Sequence, residues 1–136
     1  MDIDVVMDEA LRAGPDAVAI ACADVRAGFV LGTSARGDAE REAATNAAAC
    51  AAQLCAVPKL GNVLDDGPLF ADSEEQDATG ALVVSRRWVH AYARVAKRPE
   101  LVVVGVARGD ANVALLLDWV KKVAGGIVGD ELEATV

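Results

Sequence analysis

The chain has 136 residues, a net charge of −8, a hydrophobic fraction of 54% and a charged fraction of 25%. This composition is typical of one globular domain and excludes a disordered chain. The acidic balance argues against nucleic acid and anionic membranes as partners, because phosphate groups are bound by clustered Lys and Arg.

The first residues predict a cytoplasmic protein. The start, MDIDVVMDEALR, has neither the basic nor the apolar region of a secretory signal, and no apolar run approaches the ~20 residues of a membrane span. The cysteines are Cys22, Cys50 and Cys55. An odd number without a CxxC motif favours a reducing compartment, and we expect all three as small buried hydrophobic residues.

The first third of the chain predicts a helix followed by a strand hairpin. A helical apolar face is formed by Ile3, Val6, Met7, Ala10 and Leu11, and Gly14-Pro15 ends this helix. The stretch AVAIACAD (17–24) is apolar on both faces, so we expect a central strand covered on both sides. A turn at 24–28 leads into a second strand at 28–34.

A helix rich in alanine follows, with Asp38 as its expected N-cap and Pro58 beyond its end. On a helical wheel, one wide face is predicted to pack on the sheet and comprises Ala43, Ala44, Ala47, Ala48, Cys50, Ala51, Leu54 and Cys55. The opposite face comprises Glu42, Thr45, Asn46, Ala49, Ala52, Gln53 and Ala56. It is nearly uncharged beyond Glu42, whereas a solvated helix face usually carries Lys and Glu.

Residues 58–79 form a long connection with six acidic residues between Asp65 and Asp77. A structureless connection of this length is unusual inside a compact domain. A solvated loop, a mobile acidic segment and a short hidden helical turn are all compatible with the sequence.

The last part predicts a meander of three strands and a final helix. The strands are expected at 80–85, 88–96 and 101–107, with connections too short for helical crossovers. In the middle strand, Val89, Ala91, Ala93 and Val95 face one way, and Trp88, His90, Tyr92 and Arg94 the other. The final helix is expected to begin near Asp110 and to end at Gly125-Gly126, with Leu115 and Trp119 beside its core face and partly exposed.

The predicted order is α-β-β-α-β-β-β-α, with helices on both faces of a single five-stranded, mainly antiparallel sheet. The fold class is therefore α/β in the broad sense, and α+β in detail. We assign residues 1–128 to the domain and 129–136 to a polar tail.

No constellation of catalytic residues is recognisable. His90 is the only histidine, so the chain has no HExxH motif, and neither a P-loop nor a G-x-S-x-G motif is present. We therefore expect no enzymatic activity, no metal and no cofactor.

The chain resembles the Roadblock/LC7 family, a branch of the profilin-like fold. The resemblance is carried by VAIACADVRAGFVLGTS (18–34), by the small-residue helix after it, and by LVVVGVARGDANVALLLDWV (101–120) with its turn at Asn112. It implies the strand order 2-1-5-4-3, the second helix on one face, and the other two helices on the other. It also implies a homodimer in which the second helix and third strand meet their counterparts, and a non-catalytic role in regulating or scaffolding small Ras-like GTPases.

Two surfaces are candidates for contact with another protein. One is the uncharged face of the second helix, for which a merely solvated alanine-rich face is the alternative. The other is the aromatic patch of Trp88, His90 and Tyr92, for which burial under the second helix is the alternative. A second possible function is a profilin-like small-molecule sensor domain, with a pocket near His90, Tyr92 and the acidic connection.

Overall fold

The structure, a computed structural model, describes residues 3–14, 16–56, 80–95, 97, 98 and 100–127, with side chains omitted at 52–56, 80 and 81. The connection at 58–79 and the tail at 129–136 lie outside the described residues. The elements are α1 (Ile3–Arg12), β1 (Ala17–Asp24), β2 (Phe29–Ala35), α2 (Asp38–Ala56), β3 (Gly80–Val84), β4 (Trp88–Arg94), β5 (Leu101–Arg108) and α3 (Val113–Gly126). This is the predicted order.

The five strands form one sheet in the order β2-β1-β5-β4-β3, and every described neighbouring pair is antiparallel. The predicted topology is confirmed. The first seven residues of both β1 and β5 are buried. Both strands are central and covered on both faces, as their unbroken apolar sequences predicted.

The sheet separates two hydrophobic layers. On one face, α1 and α3 pack on the odd-numbered side chains of β4 and on Ile20 and Cys22 of β1. On the other face, α2 packs on Ala19 and Ala21 of β1 and on alternate valines of β5. The strand period of two therefore distributes one set of side chains to each helix layer.

Small side chains pack on small side chains beneath α2. Among the described side chains of the helix, the buried ones are all alanines, namely Ala43, Ala44, Ala47, Ala48 and Ala51. They form one cluster with Ala19, Ala21 and Ala23 of β1. Because alanine faces alanine along this contact, the helix axis can lie close to β1.

The final helix begins three residues later than expected. We predicted a start near Asp110, but Asp110 lies in a turn after β5, and α3 begins at Val113. The N-cap is Asn112, whose Oδ1 accepts hydrogen bonds from the N–H groups of Ala114 (3.1 Å) and Leu115 (3.2 Å). Two of the otherwise unpaired N–H groups at the helix start are satisfied in this way.

The prediction that Trp119 is partly exposed is wrong, although that for Leu115, 52% exposed, is confirmed. Trp119 is buried because the sheet and the end of α1 leave a space for its ring beside two glycines. A Cβ atom at Gly14 would lie 2.8 Å from Trp119 Cζ2, and one at Gly105 would lie 2.9 Å from Trp119 Cζ3. The indole Nε1–H donates to the carbonyl of Ala10 over 3.1 Å, so this residue ties α1, α3 and β5 together.

Candidate protein interface

The outer face of α2 is exposed from Glu42 to Ala49 and carries no charge beyond Glu42. Among the predicted outer residues, Glu42, Thr45, Asn46 and Ala49 are exposed. The predictions for Ala52, Gln53 and Ala56 lie outside the described side chains. The helix concentrates its charge in the first two turns, at Asp38, Glu40, Arg41 and Glu42, and has no charged residue from 43 to 56.

Cys50 also belongs to this exposed surface. We predicted it on the core face, but it is exposed, whereas Cys22 is buried. At 100° per residue, Cys50 lies about 90° from the centre of the buried alanine stripe, which places it on the flank of the helix. Burial raises the pKa of the Cys22 thiol to about 12. The expectation for Cys55 lies outside the described side chains.

The three predicted aromatic-patch residues have different environments. Tyr92 is only 2% exposed and belongs to the cluster beneath α2. The expectation that Tyr92 is an exposed aromatic residue is therefore wrong, and the alternative, cover by α2 of the same chain, holds because Tyr92 lies on the sheet face that α2 crosses. Trp88 and His90 are half-buried. They lie nearer the border of α2, which packs mainly on β1, β2 and β5.

A shallow groove of about 310 Å³ joins the two predicted surfaces. Its α2 side is lined by Ala39, Glu42, Ala43 and Asn46, and its sheet side by Arg87, Trp88 and His90. The guanidinium carbon of Arg87 lies 5.3 Å from the centre of the Trp88 ring. The helix flank and the open part of the sheet therefore form one continuous surface.

His90 contributes an apolar ring to this surface. Burial lowers the pKa of His90, so the imidazole is neutral near pH 7. Its Nε2 atom is buried and has no hydrogen-bond partner among the described residues. Its ring contacts that of Tyr92 edge-on, with 6.5 Å between ring centres.

One exposed valine continues the surface onto the edge strand β3. Val83 is 40% exposed, whereas Val84, 71% exposed, is paired with Val89 and lies on the opposite face of the sheet. Val83 is paired with His90 in the β3–β4 ladder, so its side chain lies on the same sheet face as α2. As the outermost strand, β3 also presents backbone N–H and C=O groups along its open side.

These exposed valines and Cys50 were missed in the sequence. The stretch GALVVS is apolar on both faces, which is typical of a covered strand, and only its edge position in the sheet shows that part of it is open. Cys50 was misassigned because a wide helical face has no sharp border.

Six basic residues of the β3–β5 meander lie in two separate groups. Arg86, Arg87 and Arg108 lie at one end of the sheet, since Gly109, next to Arg108, donates its N–H to the carbonyl of Arg87 over 3.1 Å. Arg94, Lys97 and Arg98 follow β4 to the opposite end. The seven residues of β4 separate the two groups by about 20 Å.

Within the described ranges, no three His, Cys, Asp or Glu side chains are placed to hold a metal ion. No helix in that part of the chain combines the length and the apolar character needed to cross a bilayer.

Known proteins resemble this chain in structure and not in sequence. No family model and no curated protein matches the chain. Among solved structures, a Roadblock/LC7 domain from Streptomyces avermitilis is similar with a TM-score of 0.65 and 13% identity, covering 100% of both chains. MglB from Myxococcus xanthus is similar with a TM-score of 0.62 and 18% identity over 99% of this chain and 90% of that one.

A third similar structure is an MglB with a tetrameric arrangement, at a TM-score of 0.59 and 20% identity, covering 96% of this chain and 88% of that one. The similarity to these three structures extends over nearly the whole of this chain and 88–100% of theirs. The structural neighbours are Roadblock/LC7 proteins, and the chain has the Roadblock/LC7 fold.

Proposed function

We propose that the protein is a non-catalytic dimeric regulator or scaffold that binds a small Ras-like GTPase or a related signalling partner. The observation that carries this proposal is the exposed face of α2, uncharged beyond Glu42 and continuous with the half-buried Trp88 and His90 and with the exposed Val83 of β3. The Roadblock/LC7 fold supports the proposal, and the tetrameric arrangement of one similar MglB structure supports self-association.

The side chains of this surface favour a second copy of α2 as the occupant. Thr45, Asn46 and Ala49 are short, so two helices can approach to an interaxial distance of about 8 Å. None of them is charged, so pairing two identical faces brings no like charges together along this stretch. A face that met only water would gain from Lys or Glu at these positions through solvation and i,i+4 ion pairs.

The edge strand offers a further contact for the same pairing. Among the described residues β3 is the outermost strand, so its outer side offers backbone donors and acceptors to a partner, and Val83 lies on the α2 side of the sheet next to His90. A partner that covers α2 and β3 together would bury Val83 and close the groove beside Trp88.

The test of the dimer is a charge placed on the α2 face. Ala49→Arg introduces a guanidinium at an exposed position, so the folded monomer is expected to change by no more than about 0.5 kcal/mol in stability. In the dimer the same charge is buried without a partner at two positions. A cost of ~3 kcal/mol raises the dissociation constant of the dimer about 100-fold.

Size-exclusion chromatography with light scattering measures this change, with Ala114→Arg on the exposed side of α3 as the matched control. A dimer that persists equally in both variants would show that the α2 face is not the interface.

The test of the partner is calorimetric titration of the wild-type chain with a Ras-like GTPase from the same organism, in its GDP form and in its GTP-analogue form. Binding that depends on the nucleotide supports the regulatory proposal. No heat with either form at tens of micromolar contradicts it for that GTPase.

A further inference from the structure

A second surface lies at one end of the sheet, away from the outer face of α2. It is a cleft of about 580 Å³, formed where the α1–β1 connection, the end of β2 and the end of β5 meet. Its floor is Ala17 and Val18 of β1, and its walls carry Arg36, Arg108, Asp16 and Asp110, with Gly14 and Ala111 between them. A cleft of this volume falls in the range of small-molecule sites.

The four charged side chains balance in sign but do not pair. Two are guanidinium groups and two are carboxylates, so the cleft has no net formal charge. Within the described part of the chain, none of the four forms an ion pair with another of the four or with any other residue. Opposite charges that surround a cavity without meeting leave room for a ligand that carries both signs.

Two of these residues are held in place, Arg36 by hydrogen bonds of its side chain and Asp16 through its backbone. Arg36 Nε donates to the carbonyl of Ala17 over 2.8 Å, and Nη2 donates to that of Leu11 over 3.4 Å. Its remaining N–H groups are available to a ligand. Asp16 has φ 55°, a left-handed conformation uncommon for a residue with a side chain. Gly14 is held against the Trp119 ring, so the wall that carries Asp16 is anchored to the core.

We propose that this cleft binds a small zwitterion of the amino-acid type. Arg36 and Arg108 receive the carboxylate, because the planar guanidinium presents paired N–H donors that match two carboxylate oxygens. Asp16 and Asp110 receive the ammonium group, whose three N–H donors need acceptors. A simple anion or a simple cation would leave one pair of protein charges facing a ligand of like sign.

The proposal does not rest on the proposed dimer, since the cleft lies at the end of the sheet and contains no residue of the outer α2 face. An experiment can therefore contradict the ligand site without contradicting the dimer, and the reverse. Light scattering reports the assembly, and amide chemical shifts near the cleft report the ligand.

The experiment is a titration of the ¹⁵N-labelled full chain with L-alanine, and separately with acetate, methylammonium and inorganic phosphate. We expect L-alanine to shift the amides of Ala17, Val18 and Ala111 with saturation, and acetate and methylammonium to bind at least tenfold more weakly. Arg108→Gln and Asp110→Asn, both at exposed positions, are each expected to weaken L-alanine binding at least tenfold. Arg26→Gln, in the β1–β2 turn at the other end of the sheet, is the matched control and should leave it unchanged.

Two results would overturn the proposal. One is the absence of saturable shifts with L-alanine at tens of millimolar while the spectrum shows a folded chain, which would mean that the four charges are merely solvated. The other is phosphate binding that tightens in Asp110→Asn, which would mean that the cleft selects anions. Arg36→Gln is not used alone, because losing its two bonds to backbone carbonyls can destabilise the fold.

Discussion

A methyl group added at Gly105, in the middle of β5, is expected to destabilise the protein. Its Cβ atom would lie 2.5 Å from Val120 Cγ2 and 2.9 Å from Trp119 Cζ3. Carbon atoms pack at about 3.5–4.0 Å, so α3 would have to retreat by about 1 Å. Neither neighbour can swing into solvent, because Val120 is fully buried and Trp119 is only 7% exposed.

The magnitude follows from two opposing terms. Overpacking of a core costs ~1–3 kcal/mol, while replacing Gly by Ala restricts the unfolded chain and returns ~0.4–1 kcal/mol. We therefore expect Gly105→Ala to lower the free energy of unfolding by about 1–2 kcal/mol, measured by urea denaturation followed by circular dichroism.

The matched control is Gly125→Ala in the last turn of α3. Nothing lies within 4 Å of its added Cβ atom, so the better helix propensity of alanine should leave stability unchanged or raise it by up to ~1 kcal/mol. If Gly105→Ala were as stable as the wild type, α3 would not pack on β5 as closely as described.

Three further predictions concern the core and its titrating groups. Trp119→Phe removes the hydrogen bond to the carbonyl of Ala10 and part of a buried ring, so urea denaturation should show a loss of at least about 0.5–1.5 kcal/mol. An unchanged midpoint would contradict the described packing of Trp119. Cys22 is buried and its thiol has a pKa of about 12, so at pH 8 iodoacetamide should modify Cys50 and spare Cys22 in the folded chain, as peptide mass spectrometry can show; equal labelling would contradict the burial of Cys22. Burial raises the pKa values of Cys22 and Tyr92 to about 12 from 9.0 and 10.0, so the unfolded chain loses these protons at a lower pH than the folded chain. The free energy of unfolding should therefore fall as pH rises from about 9 towards 12. Equal urea midpoints at pH 8 and pH 11 would refute this.

The apolar runs and the alternation of side chains in the strands predicted most of the fold. The stretches AVAIACAD and LVVVGVAR are apolar on both faces, which requires cover on both sides and hence central positions. The alternation in WVHAYAR placed Val89 and Ala91 on one face of the sheet and Tyr92 on the other, as observed, although it did not show that α2 covers Tyr92. The strand order itself came from resemblance, since periodicity does not determine which strands are neighbours.

The candidate interface was less predictable because exposure depends on where an element lies in the sheet. Tyr92 and Trp88 share one strand face, yet α2 crosses over the first and only borders the second. Val84 has the sequence surroundings of a buried residue and is 71% exposed because β3 is the edge strand. Asp110 was wrongly predicted as the start of α3, because a turn lies between β5 and the N-cap Asn112.

The cleft at the sheet end had no signal in the sequence. Asp16, Arg36 and the stretch from Arg108 to Asp110 belong to three separate parts of the chain, and each charge alone has the character of an ordinary solvated residue. They meet only because β1 begins where β2 and β5 end.

The central claim is that the outer face of α2 meets its own copy, and the most direct measurement is an intermolecular distance between these helices. A spin label on the native Cys50, in a Cys55→Ser chain to leave one reactive exposed thiol, gives that distance by double electron–electron resonance. Two α2 helices packed 8–10 Å apart should place the labels within about 30 Å of each other at tens of micromolar protein. A trace without intermolecular dipolar modulation, or a distance well beyond that range, would contradict the account.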